Sequence, residues 1–247
     1  MPSAHPPARL PPRTRLRRWL IAGSLVGLAT LAALVWLSPA ARLRSIGTAL
    51  WVEARVRPAH LTEFQRSLDP WIPSRAVILS GDSLIAMLPA RWVDEHAVNF
   101  GVGAATVGQI RAQLHGLRSP ATARALVLLL GTNDVVHRPL AAAEADLRAL
   151  LAALPASLPV LLCTVPPVDP LVHRDRSPDT IARFNERWAA CAAARPGTRL
   201  VRVETVLADA AGHLPASLHQ GDGLHLNAEG NRRLAALLRA TLAALVP

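Results

Sequence analysis

The stretch Ala76-Val77-Ile78-Leu79-Ser80-Gly81-Asp82-Ser83-Leu84 passes from a continuous apolar run into a small polar turn. An apolar run without polar alternation is what a strand buried on both faces requires. The glycine two residues before Ser83 permits a tight backbone, and a strand-to-helix turn at this place projects the serine hydroxyl beyond the sheet edge. The plainer alternative is a serine that only caps the next helix.

Outward from this stretch the same alternation repeats. Strands are predicted at Ala76–Ser80, His96–Phe100, Ala123–Leu130, Pro159–Thr164 and Arg199–Val203. Helices are predicted between and after them at Thr106–Leu117, Leu140–Leu154, Thr180–Ala194 and Ala228–Val246. In the last helix Leu234, Leu237, Leu238, Leu242 and Leu245 recur at helical spacing, with Arg232, Arg233 and Arg239 between them. Asn227 is placed to cap that helix, and Glu229 suits the positive end of its dipole. Short apolar strands alternating with amphipathic helices make a three-layer α/β/α sandwich around a five-stranded parallel sheet. In such a sheet, sites form beyond the carboxyl ends of the strands.

Three polar groups are predicted at that edge. Ser83 follows the first strand. Leu130-Gly131-Thr132-Asn133-Asp134 ends the third, and an Asn there can donate its amide to a developing oxyanion, although Asn and Asp also favour plain turns. Gly221-Asp222-Gly223-Leu224-His225-Leu226-Asn227 precedes the last helix. An Asp three residues before a His, between two glycines, can turn its carboxylate onto imidazole Nδ1 and leave Nε2 for the serine. Each motif alone has a bland reading. Together, at one edge, they supply a nucleophile, an oxyanion donor and a base with its orienting group.

At this point the chain resembles the SGNH, or GDSL-like, hydrolases. The blocks that carry the resemblance are Gly81-Asp82-Ser83-Leu84, Asn99-Phe100-Gly101-Val102-Gly103, Gly131-Thr132-Asn133-Asp134 and Asp222-Gly223-Leu224-His225, in the family's order over about residues 76–245. The resemblance implies a flavodoxin-like sheet, a serine esterase mechanism and no cofactor. It implies Ser83 as nucleophile, His225 as general base and then acid, and Asp222 as its orienting carboxylate. The oxyanion hole it implies is the Ser83 backbone N–H, the Asn133 side chain and a backbone N–H aligned with Ala104. Relatives usually carry glycine at that last place. Alanine keeps the N–H, but it is strained if the backbone there has positive φ. The ordinary α/β-hydrolase pattern fits less well, because Gly81-x-Ser83 lacks the second glycine and the Asp and His are nearly adjacent.

The 247 residues carry a formal charge of +10, unevenly spread: residues 1–75 hold 11 Arg against three acids, and the remainder 16 Arg against 14. The body is close to neutral, so nucleic acid is not the expected partner. Residues 1–18, rich in Pro and Arg, read as a disordered tail. Residues 19–38 are uncharged and long enough to cross a hydrocarbon layer roughly 30 Å thick, and the heavier Arg flank precedes them. They are expected to be a single-pass inner-membrane anchor, with the N-terminus cytoplasmic and the body periplasmic. A cleaved signal peptide is the alternative, since Ser38-Pro39-Ala40 suits cleavage. Residues 39–74 are expected as a helical juxtamembrane linker and residues 75–247 as the hydrolase domain.

Cys163 and Cys191 are read as small buried side chains, with a single bridge as the minority reading. No metal-ligand spacing appears among Cys and His. His137, Arg138 and the stretch Pro166–Pro178, including Asp169, His173, Arg174, Asp175 and Arg176, follow strands at the same edge. They read as solvated loops or as a lid toward an anionic or sugar substrate. The substrates expected are carboxylic esters, either O-acetylated sugars or lipid and lysophospholipid esters. An O-acyltransferase with the same residues, or an inert tethered binding protein, is the alternative.

Overall fold

The computed structural model describes residues 57–245. Among them no helix is long and apolar enough to cross a membrane. The expected tail, the anchor at 19–38 and the first part of the linker lie outside the described residues.

Five parallel strands form one sheet in the order β2-β1-β3-β4-β5: β1 Val77–Gly81, β2 Ala97–Asn99, β3 Ala125–Leu129, β4 Val160–Cys163 and β5 Thr198–Val201. The expected α/β architecture is the one found, with strand ends moved by one or two residues. Strands β1, β3 and β4 are wholly buried, as their unbroken apolar runs require. The edge strands β2 and β5 are only partly covered, so the expectation of burial on both faces does not hold for them. An edge strand has a neighbour on one side alone.

The helices in chain order are α1 Arg57–Leu68, α2 Ser83–Ala86, α3 Val107–His115, α4 Asp134–His137, α5 Leu140–Ala153, α6 Pro178–Ala194, α7 Glu204–Leu207 and α8 Ala228–Leu245. Alternate strand residues face two separate apolar cores. Ile78, Leu126, Leu128, Val160 and Leu162 pack with side chains of α3, α5 and α6, including the fully buried Trp188. Val77, Leu79, Val127, Leu129 and Leu161 pack with Leu84, Leu207, Leu234, Leu238 and Leu242 of α2, α7 and α8. Period-two alternation on strands buried on both faces produces this division. It also separates the cysteines: both are free, and Cys191 lies in the first core while Cys163 lies in the second, across the sheet. Burial pushes both thiols up from their ordinary range.

Helix α8 begins where the sequence reading put it. Asn227 Oδ1 accepts from the backbone N–H groups of Glu229 (2.9 Å) and Gly230 (3.1 Å). At the other end of the described chain, α1 packs onto the body through a buried polar chain. The Gln65 amide donates to the Gly101 carbonyl, and its oxygen accepts from Gln113, which also donates to the Phe100 carbonyl. Ser80 of β1 donates to Gln113 Oε1. Just beyond α1, the Asp69 carboxylate accepts from the N–H groups of Arg118 and Ser119. These buried groups are partnered, as burial of polar atoms demands.

The strand order reverses between β1 and β3, because β2 lies on one side of β1 and β3 on the other. The crevice beyond their carboxyl ends is therefore the topological switch point of the sheet.

Candidate active site

Ser83 opens α2 immediately beyond β1. The turn depends on Gly81, where a Cβ would stand 1.8 Å from the Leu129 carbonyl oxygen of β3. No other residue fits without parting the two strands. Asp82 then caps α2, its Oδ1 accepting from the Leu84 N–H at 3.0 Å. The carboxyl is completely buried, which pushes it up to about 6 against the opposing pull of the Leu84 N–H and of Thr132.

The structure brings Ser83, Asp222 and His225 together. His225 Nε2 is 2.9 Å from Ser83 Oγ, and His225 Nδ1 is 2.6 Å from Asp222 Oδ2. Asp222 Oδ1 accepts in turn from the N–H groups of Leu224 (3.0 Å) and His225 (2.9 Å). Partial burial acts to raise this carboxyl. The bonds from the His225 ring and from the two backbone N–H groups outweigh it and hold the group at about 2. Asp222 is thus a fixed anion at any ordinary pH, with the tautomer of His225 set by it: N–H on Nδ1, bare Nε2 toward the serine. That arrangement can accept a proton from Ser83.

Asn133 stands half-buried at the end of the β3 segment, and its Nδ2 donates to the Ala105 carbonyl at 3.0 Å. One amide hydrogen is thereby used to orient the group, and the second remains for another acceptor. Asp134 beside it is buried and accepts from the Val107 N–H (3.0 Å), which ties the start of α3 to this turn. Burial pushes the Asp134 carboxyl up, against the Val107 N–H and the Arg138 guanidinium. Arg138 is committed to Asp134 (3.2 Å) and Asp146 (2.7 Å) and is not a free cation, whereas His137 is exposed.

In the second block Asn99 works as a clasp. Its amide donates to the carbonyls of Ile85 (2.6 Å) and Leu88 (2.9 Å), and its oxygen accepts from the Gly101 N–H (2.8 Å). Further along, Ala104 has φ 58°, the left-handed region. An alanine therefore holds a backbone conformation that favours glycine, while Gly103 beside it does not have positive φ.

The stretch after β4 is less solvated than its polar residues suggest. Arg176 is buried and bonds His173 Nδ1 (2.9 Å), while His173 Nε2 lies 2.8 Å from the Asp222 carbonyl. A buried imidazole outside the four blocks, His219, accepts at Nδ1 from the N–H groups of Gly221 (3.0 Å) and Gly223 (3.1 Å). The sequence reading missed it. Its one visible signal is a histidine three residues before Asp222. No group of three or more His, Cys, Asp or Glu that could hold a metal ion occurs among the described residues.

The chain belongs to the GDSL-like Lipase/Acylhydrolase family, which it matches over residues 74–233, and membership makes it a hydrolase of the esterase kind. Among solved structures it is similar to a candidate platelet activating factor from Streptococcus pneumonia, with TM-score 0.74, 22% identity and coverage of 83% of this chain and 100% of that one. It is also similar to a GDSL-like lipase from Bacteroides thetaiotaomicron (TM-score 0.64, 17% identity, 74% and 98%). A lipase/acylhydrolase from Enterococcus faecalis aligns with TM-score 0.60 at 19% identity, over 69% and 96%. At these identities the likeness is one of fold. No curated protein sequence matches the chain significantly.

Two predictions follow from the local energetics. Left-handed backbone costs an alanine about 1–2 kcal/mol, and glycine returns part of this as chain entropy. Ala104→Gly is expected to stabilise the protein by roughly 0.5–1 kcal/mol in urea unfolding; a destabilised variant would contradict the strain. For Asp82, the folded state holds its proton more tightly than the unfolded chain, whose carboxyl titrates near 3.8. The stability it contributes is fully present below that value and is lost as pH rises through about 6. Asp82→Asn lacks this loss. Its stability relative to the native protein should rise by about 3 kcal/mol from well below the first of these pH values to well above the second, and parallel pH profiles would exclude the effect.

Proposed function

We propose that the protein is a serine esterase that cleaves carboxylic esters through an acyl intermediate on Ser83. The observation that carries this is the continuous chain from Asp222 Oδ2 to His225 Nδ1, and from His225 Nε2 to Ser83 Oγ, at 2.6 and 2.9 Å. A serine hydroxyl is a weak nucleophile, and a base already within hydrogen-bond reach is what activates it.

In this reading His225 takes the Ser83 proton as Oγ attacks the ester carbonyl, and the imidazolium formed is stabilised by ionised Asp222. The negative charge developing on the carbonyl oxygen is met by the Ser83 N–H, the free hydrogen of Asn133 and the N–H at Ala104. His225 then protonates the leaving alcohol. In the second half it draws a proton from water as the water attacks the acyl-serine, and returns that proton to Ser83 Oγ as the acid leaves. The strained backbone at Ala104 is consistent with an N–H held in a preset direction.

Substrates are O-acetylated sugars or lipid and lysophospholipid esters. The reading places the reaction outside the cytoplasm, with the domain tethered by residues 19–38. The uncharged length of that segment and its Arg-rich leading flank support the placement.

A fluorophosphonate probe should label the native full-length protein and leave Ser83→Ala unlabelled; equal labelling of both, or of neither, would sink the proposal. Asn133→Ala should remain folded and lose about 10²- to 10³-fold in kcat on 4-nitrophenyl acetate. An acyl-chain-length series on the native protein separates the substrate classes, since preference for acetyl marks the sugar esterase and preference for long chains the lipid esterase.

A further inference from the structure

The catalytic carboxylate is carried by a loop, and the loop is gripped on both sides of Asp222 by two imidazoles that do not touch the serine. His219 is buried, its side chain only 5% exposed. Its Nδ1 accepts from Gly221 N and Gly223 N, the peptide groups flanking Asp222. A neutral imidazole has one bare nitrogen and one N–H. Since Nδ1 accepts, the N–H is on Nε2, and that atom lies 3.5 Å from Asp169 Oδ2 without a hydrogen-bond partner among the described residues.

The second imidazole is fixed by the same logic. The Arg176 guanidinium can only donate, so His173 Nδ1 accepts from it and His173 Nε2–H donates to the Asp222 carbonyl. Asp169 completes the grip through its backbone N–H, which donates to the Gly223 carbonyl at 2.9 Å. Four backbone groups of Gly221, Asp222 and Gly223 are therefore held: Gly221 N–H, Asp222 C=O, Gly223 N–H and Gly223 C=O.

The grip acts on a backbone path that favours glycine on both sides of Asp222. Gly221 and Gly223 have φ of 98° and 75°, and Asp222 itself is exposed. Glycine on both sides gives the carboxylate freedom that a strand or helix would deny it. A Cβ at Gly223 would also stand 2.7 Å from Val172 Cβ, so the loop is pressed against the segment that carries Asp169 and His173.

We propose that His219, held over the loop by the Gly221 and Gly223 amides, and His173, polarised by Arg176, are positioning residues that set the angle of Asp222 toward His225. This rests on the serine-esterase reading above. Neither imidazole reacts with substrate; each acts through the peptide groups on either side of Asp222.

The test uses the full-length protein and two readouts. In His219→Asn the amide oxygen replaces Nδ1 as acceptor, whereas His219→Leu fills the space without one. Expected for His219→Leu is a loss of about 10- to 100-fold in kcat on 4-nitrophenyl acetate, with KM within about twofold. His219→Asn should restore kcat to within about threefold of native. The short Asp222–His225 bond gives a strongly deshielded imidazole proton in the ¹H NMR spectrum. This resonance should move upfield or vanish in His219→Leu and persist in His219→Asn. Should His219→Leu fail to fold, His173→Leu, on a partly exposed side chain, is expected to shift the same resonance and lower kcat in the same direction. The proposal is overturned if a folded leucine variant keeps native kcat and an unmoved resonance, or if His219→Asn loses as much as His219→Leu. If native protein neither turns over ester nor takes fluorophosphonate, the esterase reading fails, and the resonance still decides whether these imidazoles set Asp222.

Discussion

Where Gly81 of β1 passes Leu129 of β3, the backbones come so close that a single methyl group would overlap the Leu129 carbonyl oxygen. The site depends on this approach. It brings the ends of two strands that are neighbours in the sheet but distant in sequence to one crevice, with Ser83 leaving one and Asn133 the other. Asp82 donates its backbone N–H to that same Leu129 carbonyl at 3.2 Å and caps the helix that holds Ser83. The second block is fastened alongside, through Val102 N–H to the Gly81 carbonyl and through the Asn99 clasp on the turn after Ser83. In the proposed reaction, a nucleophile and an oxyanion donor on rigid strand ends need little reorganisation as charge develops.

The proposed base arrives differently. Asp222 and His225 sit on a loop closed on itself by Gln220 N–H to the His225 carbonyl and Asn227 N–H to the Leu218 carbonyl. Leu224 anchors it in one core and Leu226 in the other. Two carboxylates near Ser83 are driven in opposite directions. Asp222 collects three hydrogen-bond donors and is held at about 2, whereas Asp82, sealed from solvent, is pushed up to about 6. Environment rather than residue type separates an orienting anion from a structural cap.

Much of this was legible in the sequence. Unbroken apolar runs announced the central strands, and turn chemistry after the first and third placed Ser83 and Asn133 at one edge. The spacing of Asp222 and His225 suggested a shared bond, and the structure brings these atoms together. The edge strands β2 and β5 were over-read, because Asn99 in one and Arg199 in the other already mark strands that are covered only in part. The oxyanion segment posed a question that sequence alone leaves open: Ala104 marks the place, but only the backbone tells that it sits at φ 58°. His219 escaped because its Nδ1 partners are peptide groups, which every residue has. No side-chain pattern marks a histidine that accepts backbone N–H bonds.

The proposed mechanism requires that Ser83 become acylated during turnover. Rapid acid quench of the native protein with a slowly deacylating ester, followed by intact-mass and peptide analysis, tests it directly. The account predicts a transient mass increase equal to the acyl group, on the peptide bearing Ser83, appearing and decaying at rates consistent with kcat. Steady ester hydrolysis with no acyl group on Ser83 at any time would contradict it.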